Sequence, residues 1–144
     1  MTVVIRGARA DEREVVARIH KASATRAYTC IFPTGDFPWD ETLARWQQFA
    51  GAILVAEIEG VDEPVGFVAF DSRELHALYV LPEQWSHGIG ARLLEAAGAV
   101  SKLWVLEENV AARHFYEKHG WRPDGTQRRH NGVIELRYQR IGPA

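Results

Sequence analysis

Between Ala52 and Leu81 three apolar, β-rich runs follow one another with only short breaks, so this part of the chain must build neighbouring strands of one sheet. Ala52 to Ile58 and Val65 to Phe70, joined by Glu59 to Pro64, read as an antiparallel hairpin. Arg73 to Leu81 alternates Leu75, Ala77, Tyr79 and Leu81 against Glu74, His76, Leu78 and Val80, which predicts that Glu74 and His76 share a face with Leu78. Pro82 ends that strand. Gly88 then opens a helix containing Ile89, Leu93 and Leu94, and Leu103 to Leu106 is a further strand, giving a β, α, β order. Upstream, Thr2 to Gly7 reads as a first strand, and Asp11 with Glu14 resembles the capping pair of a helix carrying Val15, Ile19 and Ala22 on one face. His20 and Lys21 suit its C-terminal end. Pro33, Gly35 and Pro38 interrupt regular structure before a second helix with Leu43, Trp46 and Phe49. Downstream, Asn109 starts a fourth helix that Gly120 closes, and Asn131-Gly132 predicts a hairpin between the last two strands.

These elements fit one domain over residues 1–144, since domains usually run to about 100 to 200 residues. Seventeen Lys and Arg against nineteen Asp and Glu give a formal charge of −2, which argues against nucleic acid as a partner. The longest uncharged apolar stretch, Phe49 to Ala56, is far too short to span a bilayer, and Arg6, Arg9 and Asp11 interrupt any signal-peptide core. No membrane partner and a cytoplasmic setting are expected. A single cysteine, Cys30, excludes an intrachain disulfide and a Cys-rich zinc site, and no metal is expected.

Two constellations could carry chemistry. His87-Gly88-Ile89-Gly90 stands at a helix start, where glycines let backbone N–H groups approach an anion and the helix dipole adds positive potential. Alone, a Gly-x-Gly pair is more often turn chemistry or close packing. It is not a dinucleotide fingerprint, because Leu93 occupies the third glycine's place, and no Gly-Lys-Ser/Thr follows to make a P-loop. Asn109 and Tyr116, seven residues apart, fall nearly on one helical face; an N-cap and a core tyrosine are the structural readings of the same pair.

Taken in order, Leu78-Tyr79-Val80-Leu81-Pro82-Glu83, Gly88-Ile89-Gly90, Leu103-Trp104-Val105-Leu106-Glu107-Glu108-Asn109 and Phe115-Tyr116-Glu117-Lys118-His119-Gly120-Trp121 resemble the GNAT superfamily of acetyl-CoA-dependent N-acetyltransferases. The resemblance implies an α+β fold: a mixed, mostly antiparallel sheet with helices on both faces, whose parallel strands four and five splay apart to receive acetyl-CoA. By the same resemblance the cofactor would meet Leu78, Tyr79 and Val80 of strand four, Trp85, Ser86, His87, Gly88, Ile89, Gly90 and Ala91 of the pyrophosphate loop, and Asn109 and Tyr116 of the fourth helix. Trp85 stands where the family usually has Arg or Gln, and the short segment from Gly88 to Lys102 implies an abbreviated third helix and an open adenine side.

Acetyl transfer to an amine needs a neutral nucleophile, a polarised thioester carbonyl and a protonated leaving thiolate. The resemblance implies Glu74 as the base, with Glu107 and Glu108 as competitors and His76 as a second relay. It implies backbone N–H groups around Leu78 and Tyr79 at the carbonyl, Tyr116 as the acid and Asn109 on the pantetheine arm. The acceptor, a primary amine of a small molecule or peptide, would meet Tyr28, Trp39 and His76, in a surface that also includes Arg26, Cys30, Asp36, Asp40 and the Arg128 to Gly132 hairpin. Asp36, Asp40 and Glu41 favour a cationic amine, whereas Arg26, Arg128 and Arg129 could receive a carboxylate, and the two stay open. A homodimer is also left open. A non-catalytic acyl-CoA-binding sensor, hinted at by Trp85, and a purely structural α+β module are the alternatives.

Overall fold

A computed structural model describes residues 2–28, 37–130 and 132–141, without the side chains of residues 27, 28 and 130. Seven strands, β1 (Val3–Gly7), β2 (Ala52–Ile58), β3 (Gly66–Phe70), β4 (Glu74–Val80), β5 (Lys102–Leu106), β6 (Trp121–His130) and β7 (Val133–Arg140), form one sheet in the order β1-β2-β3-β4-β5-β7-β6. Neighbours are antiparallel except β4 and β5. Four α-helices, α1 (Arg13–Tyr28), α2 (Trp39–Gln48), α3 (Ile89–Ala96) and α4 (Val110–Lys118), cover the sheet.

Alternation along the strands sends side chains to two separate cores. On one face Val16, Ala17 and Ile19 of α1 and Trp46 of α2 pack with Ile53, Val55, Phe67 and Ala69. On the other, Leu93 and Leu94 of α3 and Tyr116 of α4 pack with Ala56, Val68, Leu103, Val105 and Tyr138. Capping at the start of α1 differs from expectation. A 3₁₀ turn over Ala10–Glu12 precedes the helix, and Glu12, rather than Glu14, reaches back to the Arg9 N–H at 2.8 Å. The buried Glu12 carboxylate is paired with Arg6, which also bonds Glu57. Gly120 closes α4 as predicted, at φ +91°. Asn131 of the predicted turn lies outside the described residues; β6 and β7 do pair antiparallel on either side of it.

Strand β4 departs from the regular alternation the sequence suggests. Its register against β3 runs Phe67↔Tyr79, Val68↔Leu78 and Ala69↔Ala77, then shifts to Phe70↔Leu75. That extra residue is a β-bulge, and a bulge reverses the facing of everything beyond it. Leu75 therefore joins the α3/α4 core while Ala77 joins the α1/α2 core. His76 packs edge-on against Phe49 of the α1/α2 side, and Glu74 lies beside it. Glu74 and His76 thus face away from Leu78, which corrects the expectation drawn from β4 alone.

The parallel neighbours β4 and β5 pair over a short stretch only. Only Glu74↔Lys102 and Leu75↔Leu103 are paired, after which the two strands part. Leu81 donates its N–H to Val65 O at 2.8 Å, which fixes the alternation along β4. Tyr79 directs its N–H at β3, and Leu78 and Val80 direct theirs into the gap.

Candidate active site

The gap between β4 and β5 is the mouth of a cavity of about 910 Å³ that runs through the sheet. Glu74, His76, Leu78, Tyr79, Val80, Trp85, Ser86, Gly88, Ile89, Gly90, Ala91, Asn109 and Tyr116 all line it, so strand, loop and two helices converge on one space. His87 and Trp39 do not line it. Trp39 is half-buried at the start of α2, with Lys21 Nζ 5.7 Å from its ring. The side chain of Tyr28 and all of Cys30 and Asp36 lie outside the described residues. Glu107 and Glu108 are exposed and line a separate cavity of about 170 Å³ with Arg129 and Gly132.

On the α3/α4 side the loop before α3 forms a cradle. Ser86 at φ +72° and Gly88 at φ +78° turn the backbone through left-handed conformations, and Gly88 is the N-cap of α3. The first intrahelical bond runs from Arg92 N to Gly88 O at 3.2 Å, so the N–H groups of Ile89, Gly90 and Ala91 have no partner within the helix. A methyl group on Gly90 would project toward Phe115 and Val80, at 3.5 and 4.0 Å, into the throat of the cavity. Donors at a helix N-terminus suit an anion, and this cradle fits a pyrophosphate without a side-chain cation. Trp85, in the expected cation's place, is exposed and donates from its indole Nε1 to Val80 O at 2.7 Å.

Asn109 accepts the Ala112 N–H at 3.2 Å as the N-cap of α4 while also lining the cavity. Tyr116, buried, packs edge-on with Phe115 and Trp121. Beneath α4 the buried Tyr138 hydroxyl donates to Glu117 Oε2 at 2.6 Å and accepts from Arg113 Nε at 3.0 Å, and this pins the helix carrying Tyr116 to β7.

On the α1/α2 side Glu74 and His76 stand at the cavity's edge. His76 Nε2 lies 2.8 Å from Asp71 Oδ2, and its Nδ1 lies 3.5 Å from Glu74 Oε2. The hydrogen bond to His76, then those from the Arg73 and Glu74 N–H groups, hold the Asp71 carboxyl well below the usual carboxylate range. Further in, His20 stacks on Tyr79 at 4.5 Å and accepts the Trp46 indole N–H at 3.0 Å, and burial pushes its pKa down to about 4.

Further residues line the cavity to which the sequence assigns no role there. Ser23 caps Val80 O at 2.8 Å; its one trace is a small polar residue four positions beyond Ile19 on the apolar face of α1. Arg45 and Trp104 line the cavity, and Arg128 lies over the Trp104 ring at 4.1 Å while pairing with Glu135 at 2.8 Å. Pairing across β5, β7 and β6 brings these together, which no local pattern announces.

The sequence family described as acetyltransferase (GNAT) domain matches residues 50–123. An uncharacterized N-acetyltransferase of Archaeoglobus fulgidus is 42% identical over 83 residues, covering 44% of this chain and 55% of that protein. The chain therefore spans about half the length of this relative. The peptidyl-lysine N-acetyltransferase YjaB of Salmonella typhimurium is 29% identical over 135 residues, 87% of each chain. Among solved structures, apo YjaB from Escherichia coli superposes with a TM-score of 0.81 at 24% identity, over 99% of this chain and 100% of that one. The PaiA N-acetyltransferase of Thermoplasma acidophilum, in complex with coenzyme A, gives 0.70 at 20% identity, over 95% and 98%. These two likenesses concern the fold. No helix among the described residues is long and apolar enough to cross a membrane, and no cluster of His, Cys, Asp and Glu among them could hold a metal ion.

Proposed function

The chain belongs to the acetyltransferase (GNAT) family, and from that membership we propose that it transfers the acetyl group of acetyl-CoA directly to a primary amine of a small molecule or peptide in the cytoplasm. The observation that carries the proposal is the single cavity in which the Gly88 to Ala91 cradle, the gap-facing N–H groups of β4 and the Glu74 carboxylate meet. The two substrates approach from opposite faces of the sheet. The cradle, Asn109 and Tyr116 belong to the α3/α4 side, whereas Glu74 and His76 belong to the α1/α2 side. Among the described residues the splayed strands form the partition between them, so an amine on one face can reach a thioester on the other without a covalent enzyme intermediate.

Each role follows from position. Glu74 takes a proton from the ammonium form of the acceptor, which with a solution pKa of about 10 is mostly protonated at neutral pH. The Leu78 N–H, facing the gap, donates to the oxygen that becomes negative as the amine attacks. This refines the expected pair, because Tyr79 spends its N–H on β3. Tyr116, on α4 across the cavity, protonates the departing thiolate. Glu107 and Glu108 open on a different cavity, which favours Glu74 among the three carboxylates.

Two measurements test the proposal. Calorimetric titration with acetyl-CoA should show binding, and a panel of lysyl peptides, amino acids and diamines should release free CoA. Glu74→Gln should then lower turnover by roughly 10² to 10⁴-fold with acetyl-CoA binding intact. Binding without thiol release from any amine would instead support a sensor. Failure to bind any CoA ester would leave only the structural module.

A further inference from the structure

An acceptor entering from the α1/α2 face meets only some of the charged groups that could select it. Arg26, Asp40 and Glu41 do not line the cavity, and Arg129 opens on the smaller one. Trp104, between Leu103 and Val105 of the α3/α4 core, faces the acceptor side, and Arg128 over its ring goes with it. Arg128 is already neutralised, since its Nε donates to Glu135 Oε1 at 2.8 Å. Glu74 is the charge that the ammonium of any acceptor meets. Arg45 also lines the cavity, and among the described residues no carboxylate pairs with it.

We infer that the acceptor carries a carboxylate a few atoms from its primary amine, and that Arg45 receives it. The inference rests on the reading of the chain as an amine acetyltransferase and narrows its substrate class. Arg45 is exposed in the last turn of α2, where any cation suits the helix dipole. Two contacts direct it to the cavity. Its guanidinium lies over the Trp46 ring, 4.4 Å from the centroid, and Nη2 donates to His76 O at 3.4 Å. His76 is midway between Glu74 and Leu78 on β4, so the tip of Arg45 stands about 7 Å along the strand from the carboxylate that meets the amine and from the N–H that meets the thioester oxygen. A small amino acid, with a hydrogen bond at each end, spans that distance. Among the described residues Nε and Nη1 of Arg45 have no acceptor, so donors remain for carboxylate oxygens.

Charge on this face then balances. Glu74 takes the ammonium, Arg128 and Glu135 cancel, and the single positive charge of Arg45 takes the single negative charge of a carboxylate. A phosphate would leave a second negative charge unmatched, and a diamine would set its second ammonium against Arg45. The carboxylate can belong to a free amino acid or to an acidic residue beside a lysine in a peptide, and the chemistry at Arg45 is the same for both.

The test uses the whole protein with acetyl-CoA and reads free CoA. Amino acids with the amine on the α, β or γ carbon are compared with their primary amides, and a lysyl peptide with a neighbouring glutamate is compared with its glutamine counterpart; the two arms separate the two sources. In at least one arm the acid should exceed the amide in kcat/KM by about tenfold or more, chiefly through KM, and the preference should shrink as ionic strength rises. Arg45→Gln should remove the preference and Arg45→Lys should keep part of it, with calorimetric titration of acetyl-CoA showing that both variants are folded. Independent of turnover, the N-acetylated acid should raise the thermal midpoint of the CoA-bound wild type more than the N-acetylated amide does, and Arg45→Gln should abolish that difference. Equal use of acids and amides by the wild type overturns the inference while acetyl transfer to amines stands. So does a preference that Arg45→Gln retains, or transfer to diamines alone. If no amine of any kind releases CoA, the reading as an acetyltransferase fails, and the inference fails with it.

Discussion

Replacing Gly90 by alanine should stabilise the protein and weaken its hold on acetyl-CoA, two effects of opposite sign from one methyl group. Gly90 is the second residue of α3, in right-handed helical conformation, and its added Cβ meets Phe115 only at 3.5 Å, an ordinary contact. Alanine is favoured over glycine by up to about 1 kcal/mol inside a helix. In the first turn roughly half of that applies, about 0.5 kcal/mol, which raises the midpoint of a domain this size by about 2 °C. The same methyl stands in the throat where a pyrophosphate would touch the Gly90 N–H, and a tenfold loss of affinity corresponds to about 1.4 kcal/mol. At a ligand concentration about 100 times the wild-type Kd, binding adds about 2.7 kcal/mol to wild-type stability and, after a tenfold loss, about 1.4 kcal/mol to the variant's. Thermal melts with and without acetyl-CoA should therefore show a higher midpoint for the variant alone and about half the ligand-induced shift. A more stable variant with an undiminished shift would remove the pyrophosphate from Gly90 and refute the placement.

A Cβ added at Gly88 meets no atom within 4 Å, so the chief penalty of Gly88→Val is the left-handed backbone at φ +78°, about 1 to 2 kcal/mol, and calorimetry should show acetyl-CoA affinity down at least about tenfold in a still-folded protein. Tyr116→Phe should lower kcat more than acetyl-CoA affinity, and rates measured up to about pH 9.5 should show the deficit shrinking above the thiol pKa of about 8.5; a constant deficit would reduce the hydroxyl to a packing role. Glu12, held down to about 2 from 4.5 chiefly by Arg6, contributes stability that is full above pH 4.5 and lost as the pH falls toward 2; Glu12→Gln should cost about 2 to 3 kcal/mol at pH 7 in urea unfolding and flatten that acid limb. His20, lowered from 6.5 to about 4 by burial, is neutral in the fold while the unfolded chain takes up a proton, so stability should decline from pH 6.5 to 4 and His20→Gln should remove that part of the slope.

The sequence carried the elements and about half of the cavity lining. The two glycines, the Asn109 cap, Gly120 and the strand runs each act through local backbone chemistry, which a linear pattern records. The bulge was not legible. Leu75, Ala77 and Tyr79 read as one unbroken apolar face, and only the partner strand, with Phe70 opposite Leu75, reveals the extra residue. Glu74 lines the cavity, but on the face opposite to the one read from β4 alone. Trp39 illustrates the opposite case: an aromatic residue near the break between the first two helices packs beside Lys21 instead of reaching the cavity. The Trp104, Arg128 and Glu135 group depends on β7 lying between β5 and β6, a topology that no periodicity contains.

The two paired positions between β4 and β5 make the sheet a joint between two plates, β1 to β4 on one side and β5, β7 and β6 on the other. Each plate keeps a full ladder of its own, so solvent exchange of amide hydrogens should divide along this seam. The Leu78 and Val80 amides, in the second half of a seven-residue strand yet directed into the gap, should exchange as fast as those of an edge strand, while Tyr79 between them is retained. A molecule lying along β4 would act as the missing strand. Slowed exchange at two alternate amides would then record occupancy of the cleft in a protein that has yet to meet its amine.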